Sequence, residues 1–277
     1  PGSTDIQFLY QDGFNTPIIW AATHSMGIWQ SNNRGINWVE RNTNLDGLVM
    51  NGIISDVNDP SILYAYTFGN VFKSLSKGIE WTRVTDGLPN SDIKCLVIDP
   101  DDSNTIYVGT DGSGAYRSLN GAKTWASINS GLNHKRIFAL AVNPKNSKHI
   151  IAGSYGKGIF QTDDGGRTWK STNDGIKDAF VVSVIFHPSE IDTIFVGSSN
   201  TGAFKSTDNG NHWTPINSGL ETKNIISLIM NPGYPNILYC GTEAYKAFKS
   251  VNGGLNWELM DQGLNQTYSR HFAVHPE

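Results

Sequence analysis

TDDGGRTW, residues 162–169, gathers a hydroxyl, two acids, two glycines and a tryptophan into eight positions, a composition that would suit a catalytic loop or a structural turn. Its recurrence decides between them. Similar stretches stand at residues 31–38 (SNNRGINW), 74–81 (SLSKGIEW), 118–125 (SLNGAKTW), 206–213 (STDNGNHW) and 250–257 (SVNGGLNW). Each closes on a tryptophan, and Trp38, Trp81, Trp125, Trp169, Trp213 and Trp257 follow one another at intervals of 43 residues once and 44 residues thereafter. A motif on a fixed period belongs to a repeating architecture rather than to a single reaction centre.

The sequence around each box repeats in a constant order. An apolar run ending in a turn (KCLVIDP, FALAVNP, VSVIFHP, SLIMNP) leads into a second run (NTIYVGT, KHIIAGS, DTIFVGS, NILYCGT). A third run (GAYRS, GIFQT, GAFKS, KAFKS), the box and a fourth segment follow, and the unit closes on DGL, SGL, DGI or QGL. Short β-branched and aromatic segments separated by turn residues mean four strands per unit. The units span 6–48, 49–92, 93–136, 137–180, 181–224 and 225–268, and 269–277 reads as one further strand. A unit of this size cannot bury both faces of its sheet, so units stack, and radial stacking gives a β-propeller. The expected fold is therefore all-β, a single propeller domain over residues 1–277 with six four-stranded blades. The terminal strand would close the ring; alternatively, the chain is part of a seven-bladed or larger one.

Within each box, a short Asp or Asn side chain can accept hydrogen bonds from backbone amides of its own turn. Asn33, Asn120, Asp164, Asp208 and Asn252 hold that position, and Ser76 stands there in the second box as a weaker substitute. The glycine supplies a positive φ. Ala122 replaces it in the third box, which predicts a distorted turn there. The tryptophans are expected to bury their large apolar area between neighbouring blades.

Composition excludes several roles. The formal net charge is −4, without a long basic or acidic run, so neither nucleic acid nor an anionic membrane is an implied partner. No apolar stretch approaches the length of a membrane span, so membrane insertion is not expected. Cys95 and Cys240 are too few for a disulfide framework and are not spaced as a metal or redox pair, which predicts two small buried thiols. No phosphate-cradling loop and no metal-ligand spacing is present, and no cofactor is implied; His187 and His275 precede prolines as turn residues. The sequence opens on PGSTDIQF without a methionine, so a signal peptide is not readable from it.

On its six boxes the chain resembles the Asp-box, or bacterial neuraminidase repeat, propellers along nearly its whole length. That ring hosts sialidases, xyloglucanases, a photosystem assembly factor and sortilin-type receptors, so the resemblance speaks for fold more than for function. It implies that the boxes lie on the face opposite the usual ligand site. It further implies a secreted or otherwise extracytoplasmic bacterial protein that binds carbohydrate or engages another protein.

Candidate ligand-binding residues therefore lie on the second-to-third-strand loops and the blade-to-blade loops: His24, Phe68, Asp111, His134, Arg136, Tyr155, Lys157, Phe180, Tyr245, Lys246, Tyr268 and Arg270. These are the places where the repeat departs from its own consensus, and the aromatics among them are not required by the turns. A sialidase needs an arginine cluster, but the Arg-Ile-Pro motif of those enzymes is absent and only Arg136 and Arg270 fall on this face. TDGSGAYR, residues 110–117, is similar to the catalytic motif of xyloglucanases and puts Asp111 at the catalytic position. Such an enzyme needs a second carboxyl about 5 to 10 Å away, for which Asp92 and Glu243 are the candidates. The same residues also fit this chain's own repeat. The expected function is a non-catalytic binding or scaffold propeller recognising a glycan or a protein, with xyloglucanase-type hydrolysis through Asp111 as the alternative.

Overall fold

The structure is a computed structural model that describes residues 6–12, 16–45, 49–243 and 246–260. The chain forms two compact units, Pro1–Ser127 and Ile128–Glu277. Each contains three four-stranded sheets whose strands pair in simple sequence order, and every pair is antiparallel. These six sheets are the blades of a six-bladed β-propeller, and the described residues include no helix. The further strand expected at 269–277 lies outside the described residues, as do parts of the loops at 46–48 and 244–245.

The repeat fixes this arrangement through burial. In the fourth blade the strands are Ile137–Asn143, Asn146–Ser154, Gly158–Thr162 and Lys170–Ser171. The third is wholly buried and the fourth is an exposed two-residue edge. Very short outer strands present few unpaired backbone groups, which limits edge-to-edge association. In five of the blades the pairing of the first two strands slips by one residue near the start of the first, next to the loops that carry the candidate ligand residues.

The boxes are turns, and their hydrogen bonds repeat. In the fourth, Thr162 Oγ1 accepts from the Gly166 amide at 3.1 Å and donates to Asp164 Oδ1 at 2.7 Å, while Asp164 Oδ1 accepts from the Thr168 amide at 2.9 Å. Asn33, Asn120, Asp208 and Asn252 accept the corresponding amide bonds. Ser76 keeps one such bond, from the Glu80 amide at 3.0 Å. The third box is not distorted as expected. Ala122 adopts φ 71° and its amide donates to Ser118 Oγ at 3.0 Å, as the glycines do at this place. The turn's hydrogen bonds and the burial of Ala122 hold an alanine in a conformation that disfavours side chains.

Five box tryptophans are buried, and each is strapped by the preceding repeat. The indole Nε1 atoms of Trp81, Trp125, Trp169, Trp213 and Trp257 donate to the carbonyls of Arg41, Val84, Ile128, Thr172 and Ile216. From Trp125 onward the tryptophan amide donates to the residue before the glycine of the DGL-type closing signature: Asp86, Ser130, Asp174 and Ser218. That signature is a docking strap for the next tryptophan. Trp38, in the first repeat of the sequence, is only half-buried.

Candidate functional site

In any blade the second-to-third-strand loop and the box lie at opposite ends of the third strand, so antiparallel pairing alone separates the candidate ligand residues from the structural turns. Each unit carries its own set of these loops.

In the second unit, the loops of the fourth and fifth blades are joined. Tyr155 and Phe180 form an isolated antiparallel bridge. The Tyr155 amide donates to the Arg136 carbonyl at 2.9 Å, and Asn200 clasps the other side, accepting from the Phe180 amide at 2.8 Å and donating to the Asp178 carbonyl at 3.0 Å. These bonds bring three rings into a stack. Phe138 and Tyr155 lie 4.7 Å apart at 29°, and Tyr155 and Phe180 lie 4.5 Å apart at 19°. The exposed Arg136 guanidinium sits 4.8 Å from the Tyr155 ring centroid and 5.6 Å from that of Phe138. All three rings are half-buried. Their broad faces are largely used against one another, so the stack presents ring edges and a cation rather than an open platform for a sugar.

Around it, Lys157 and Asp178 form an exposed ion pair at 4.0 Å, and Lys246 pairs with Glu221. Glu243 Oε2 accepts from Asn224 at 3.1 Å. Tyr245, Tyr268 and Arg270, which the sequence placed on this face, lie outside the described residues. His134 is half-buried beside Arg136 in the chain. Phe138 was not among the sequence candidates, because it lies on a first strand rather than a loop. The available signal was its type, since Gln7, Asn51, Lys94, Val182 and Ile226 occupy that place in the other repeats.

In the first unit, Phe68 is 58% exposed and pairs through a backbone bridge with Asp92. Asp111 is half-buried, and its amide donates to the Asp92 carbonyl at 2.8 Å. The Asp92 carboxylate is engaged elsewhere, accepting from Asn51 at 2.6 Å and from Lys94 at 2.5 Å. It is therefore tied into a local network rather than held ready as a partner acid. His24 is exposed on its own loop. Among the described residues no group of three or more His, Cys, Asp or Glu side chains is placed to hold a metal. Cys240 is buried and Cys95 is half-buried, less enclosed than expected, and burial pushes both thiols up to about 12. His187 serves its turn as expected, its Nδ1 accepting from the Glu190 amide at 2.9 Å. Among the described residues no helix is long and apolar enough to cross a membrane.

Comparison with known proteins places this arrangement. The sequence profile of the DUF6242 β-propeller domain matches residues 16–180, more than half of the chain, and that of sortilin, neurotensin receptor 3, matches residues 157–275. No curated protein sequence matches. Among solved structures, the GH74 enzyme of Niastella koreensis is similar with a TM-score of 0.77 at 19% identity, over 93% of this chain and 45% of that one. The GH74 xyloglucanase of Xanthomonas campestris gives 0.79 at 14% identity, over 99% and 50%. YCF48 bound to D1 peptide gives 0.72 at 14% identity, over 96% and 84%. This chain thus spans about half the length of the GH74 structures. At these identities the likeness is one of fold.

Proposed function

The chain belongs to the DUF6242 β-propeller family, and from that premise we propose that it is a non-catalytic binding or scaffold propeller whose ligand face lies opposite the boxes. Of the two ligand classes expected from the sequence, glycan and protein, the stack favours protein. Arg136, Phe138, Tyr155 and Phe180 form a pre-ordered cluster of ring edges and a guanidinium, a combination enriched at protein interfaces. The paired rings and backbone clasps mean that little side-chain freedom remains to be lost on binding. YCF48, a propeller of similar fold, has been crystallised with a peptide, which supports the same reading. An extracytoplasmic location goes with this proposal and rests on the family resemblance.

The alternative, hydrolysis through Asp111, is favoured by the motif at residues 110–117 and by the likeness to GH74 enzymes. It is opposed by the engagement of the Asp92 carboxylate with Asn51 and Lys94. One set of experiments separates the readings. Immobilised protein is exposed to an extracytoplasmic protein fraction and to a glycan array, beside Tyr155→Ala and Arg136→Ala variants, and is incubated separately with xyloglucan. Retention of a defined protein that both variants lose supports the proposal. Retention on glycans that both variants lose would reassign the same face to sugars. Sugar release from xyloglucan that disappears in Asp111→Asn would overturn the binding-only reading.

A further inference from the structure

The fourth box holds a second site, at the opposite end of its blade from the ring stack. TDDGGRTW differs from the other five boxes at its second position, where Asp163 replaces Asn32, Leu75, Leu119, Thr207 or Val251. Fourteen residues earlier the same blade carries another singular residue. His149 stands where the other repeats have Ile18, Ile62, Thr105, Thr193 and Ile237. The two are partners: His149 is fully buried, and its Nδ1 lies 2.7 Å from Asp163 Oδ1. Lys170, equally particular to this blade, lies 3.3 Å from Asp163 Oδ2.

These groups border a cavity of about 210 Å³, whose lining includes Gln161, Asp163, Asp164, Trp169 and Lys170. Its size exceeds several water molecules, each of which takes about 30 Å³ in the liquid. Gln161 is 2% exposed, and its Oε1 has no hydrogen-bond partner. A buried acceptor left without a donor is costly, so an occupant that donates hydrogen bonds is favoured there. Two carboxylates against one lysine make the lining net negative. Burial draws the Asp163 carboxyl upward, but the hydrogen bonds and charges of His149 and Lys170 outweigh this and hold it below its ordinary value. The Trp169 indole adds an aromatic surface, which attracts cations.

We propose that this cavity binds a donor-rich organic cation, a guanidinium or ammonium group, with Asp163 as its counter-ion and Gln161 and Asp164 as further acceptors. His149 is then a positioning residue that fixes one Asp163 oxygen and leaves the other for the ligand. Lys170 is the internal competitor that occupies that oxygen when no ligand is present. The cation could arrive free or as the arginine or lysine side chain of another protein. This site is independent of the ring stack, and either can fail without the other.

The test is a titration of isotope-labelled protein with methylguanidinium chloride, followed through the Trp169 indole and Thr168 amide NMR signals, against sodium chloride at matched ionic strength. Saturable shifts with methylguanidinium are expected. Asp163→Asn, which keeps an acceptor for His149, should weaken binding about tenfold, the usual scale for losing one charged hydrogen bond. Lys170→Met should strengthen it several-fold. A blocked Ala-Arg-Ala peptide that binds much more tightly than methylguanidinium identifies a protein side chain as the source, and equal affinity identifies a free small cation. Shifts no larger than those with sodium chloride, or binding indifferent to Asp163→Asn, would overturn the assignment.

Discussion

A β-carbon on Gly175 would lie 1.9 Å from the carbonyl oxygen of Trp213. The glycine, at φ 83°, closes the fourth repeat, and the tryptophan ends the box of the fifth, so the contact is the closest backbone approach in the strap that joins consecutive blades. Gly87, Gly131 and Gly219 stand in the same relation to Trp125, Trp169 and Trp257. Gly175→Ala should therefore destabilise the protein by more than about 2 kcal/mol, since the methyl meets backbone rather than a movable side chain and φ is unfavourable as well. Urea unfolding followed by tryptophan fluorescence reads this directly, and an unchanged midpoint would refute the strap.

The opposite substitution at Ala122 should behave differently. Relief of a left-handed alanine is worth about 1–2 kcal/mol, and it is offset by loss of a buried methyl, worth about 0.8 kcal/mol, and by the added freedom of glycine in the unfolded chain. Ala122→Gly is thus expected to be near neutral, whereas Gly166→Ala at the same box position would bring its β-carbon within 2.7 Å of Ile128 Cδ1 and should destabilise. Paired melting curves of the two variants check the contrast, which vanishes if the third box is merely tolerant.

Acid sensitivity should reside partly in the two aspartate boxes. The Thr168 side-chain hydrogen bond is the main influence that holds the Asp164 carboxyl at about 2, against an ordinary value of 3.8. At Asp208, burial raises the carboxyl, but bonds from the His212 amide and Ser206 outweigh it and leave the value lowered. A lowered carboxyl contributes stability above its unfolded value and loses it as pH falls toward its folded value. The contribution is therefore present at pH 4 and above and fades between about pH 4 and pH 2. Asn33, Asn120 and Asn252 show that the amide serves the same turn. Asp164→Asn combined with Asp208→Asn should preserve the fold at neutral pH and flatten the fall in urea midpoint between those limits; an identical acid limb would count against it.

The box tryptophans should not be equivalent. Trp213 is fully buried and Trp38 half-buried. Trp213→Ala should cost about 3–5 kcal/mol, the range for deleting a buried aromatic, and Trp38→Ala distinctly less. Calorimetric melting of both variants measures the difference, and equal losses would show that the strap contributes nothing to the tryptophan's burial.

Fold class was legible in the sequence because the signals are local and repeated. A box, a closing glycine and four short apolar runs on a period of 44 residues specify a blade without reference to anything distant, and six copies specify six blades. The physical reason for the closing glycine was not legible, since it depends on a carbonyl brought in by the next repeat. The third box escaped for a related cause: whether Ala122 distorts its turn depends on how strongly the surrounding hydrogen bonds constrain it.

The candidate sites divide in the same way. Sequence alone picked out Arg136, Tyr155 and Phe180 as departures from the repeat, because type and position suffice for that. Only tertiary structure could add Phe138, whose strand position gives no hint that its ring meets Tyr155, and only it could show the ring faces spent on one another. TDDGGRTW holds both cases within two residues. Asp164 was identifiable as a fastener from its period, which is a property of the chain. What Asp163 touches was decided in space, by a histidine on a neighbouring strand and a lysine beyond the turn, because contacts between side chains distant in sequence exist only once backbone pairing has brought them together.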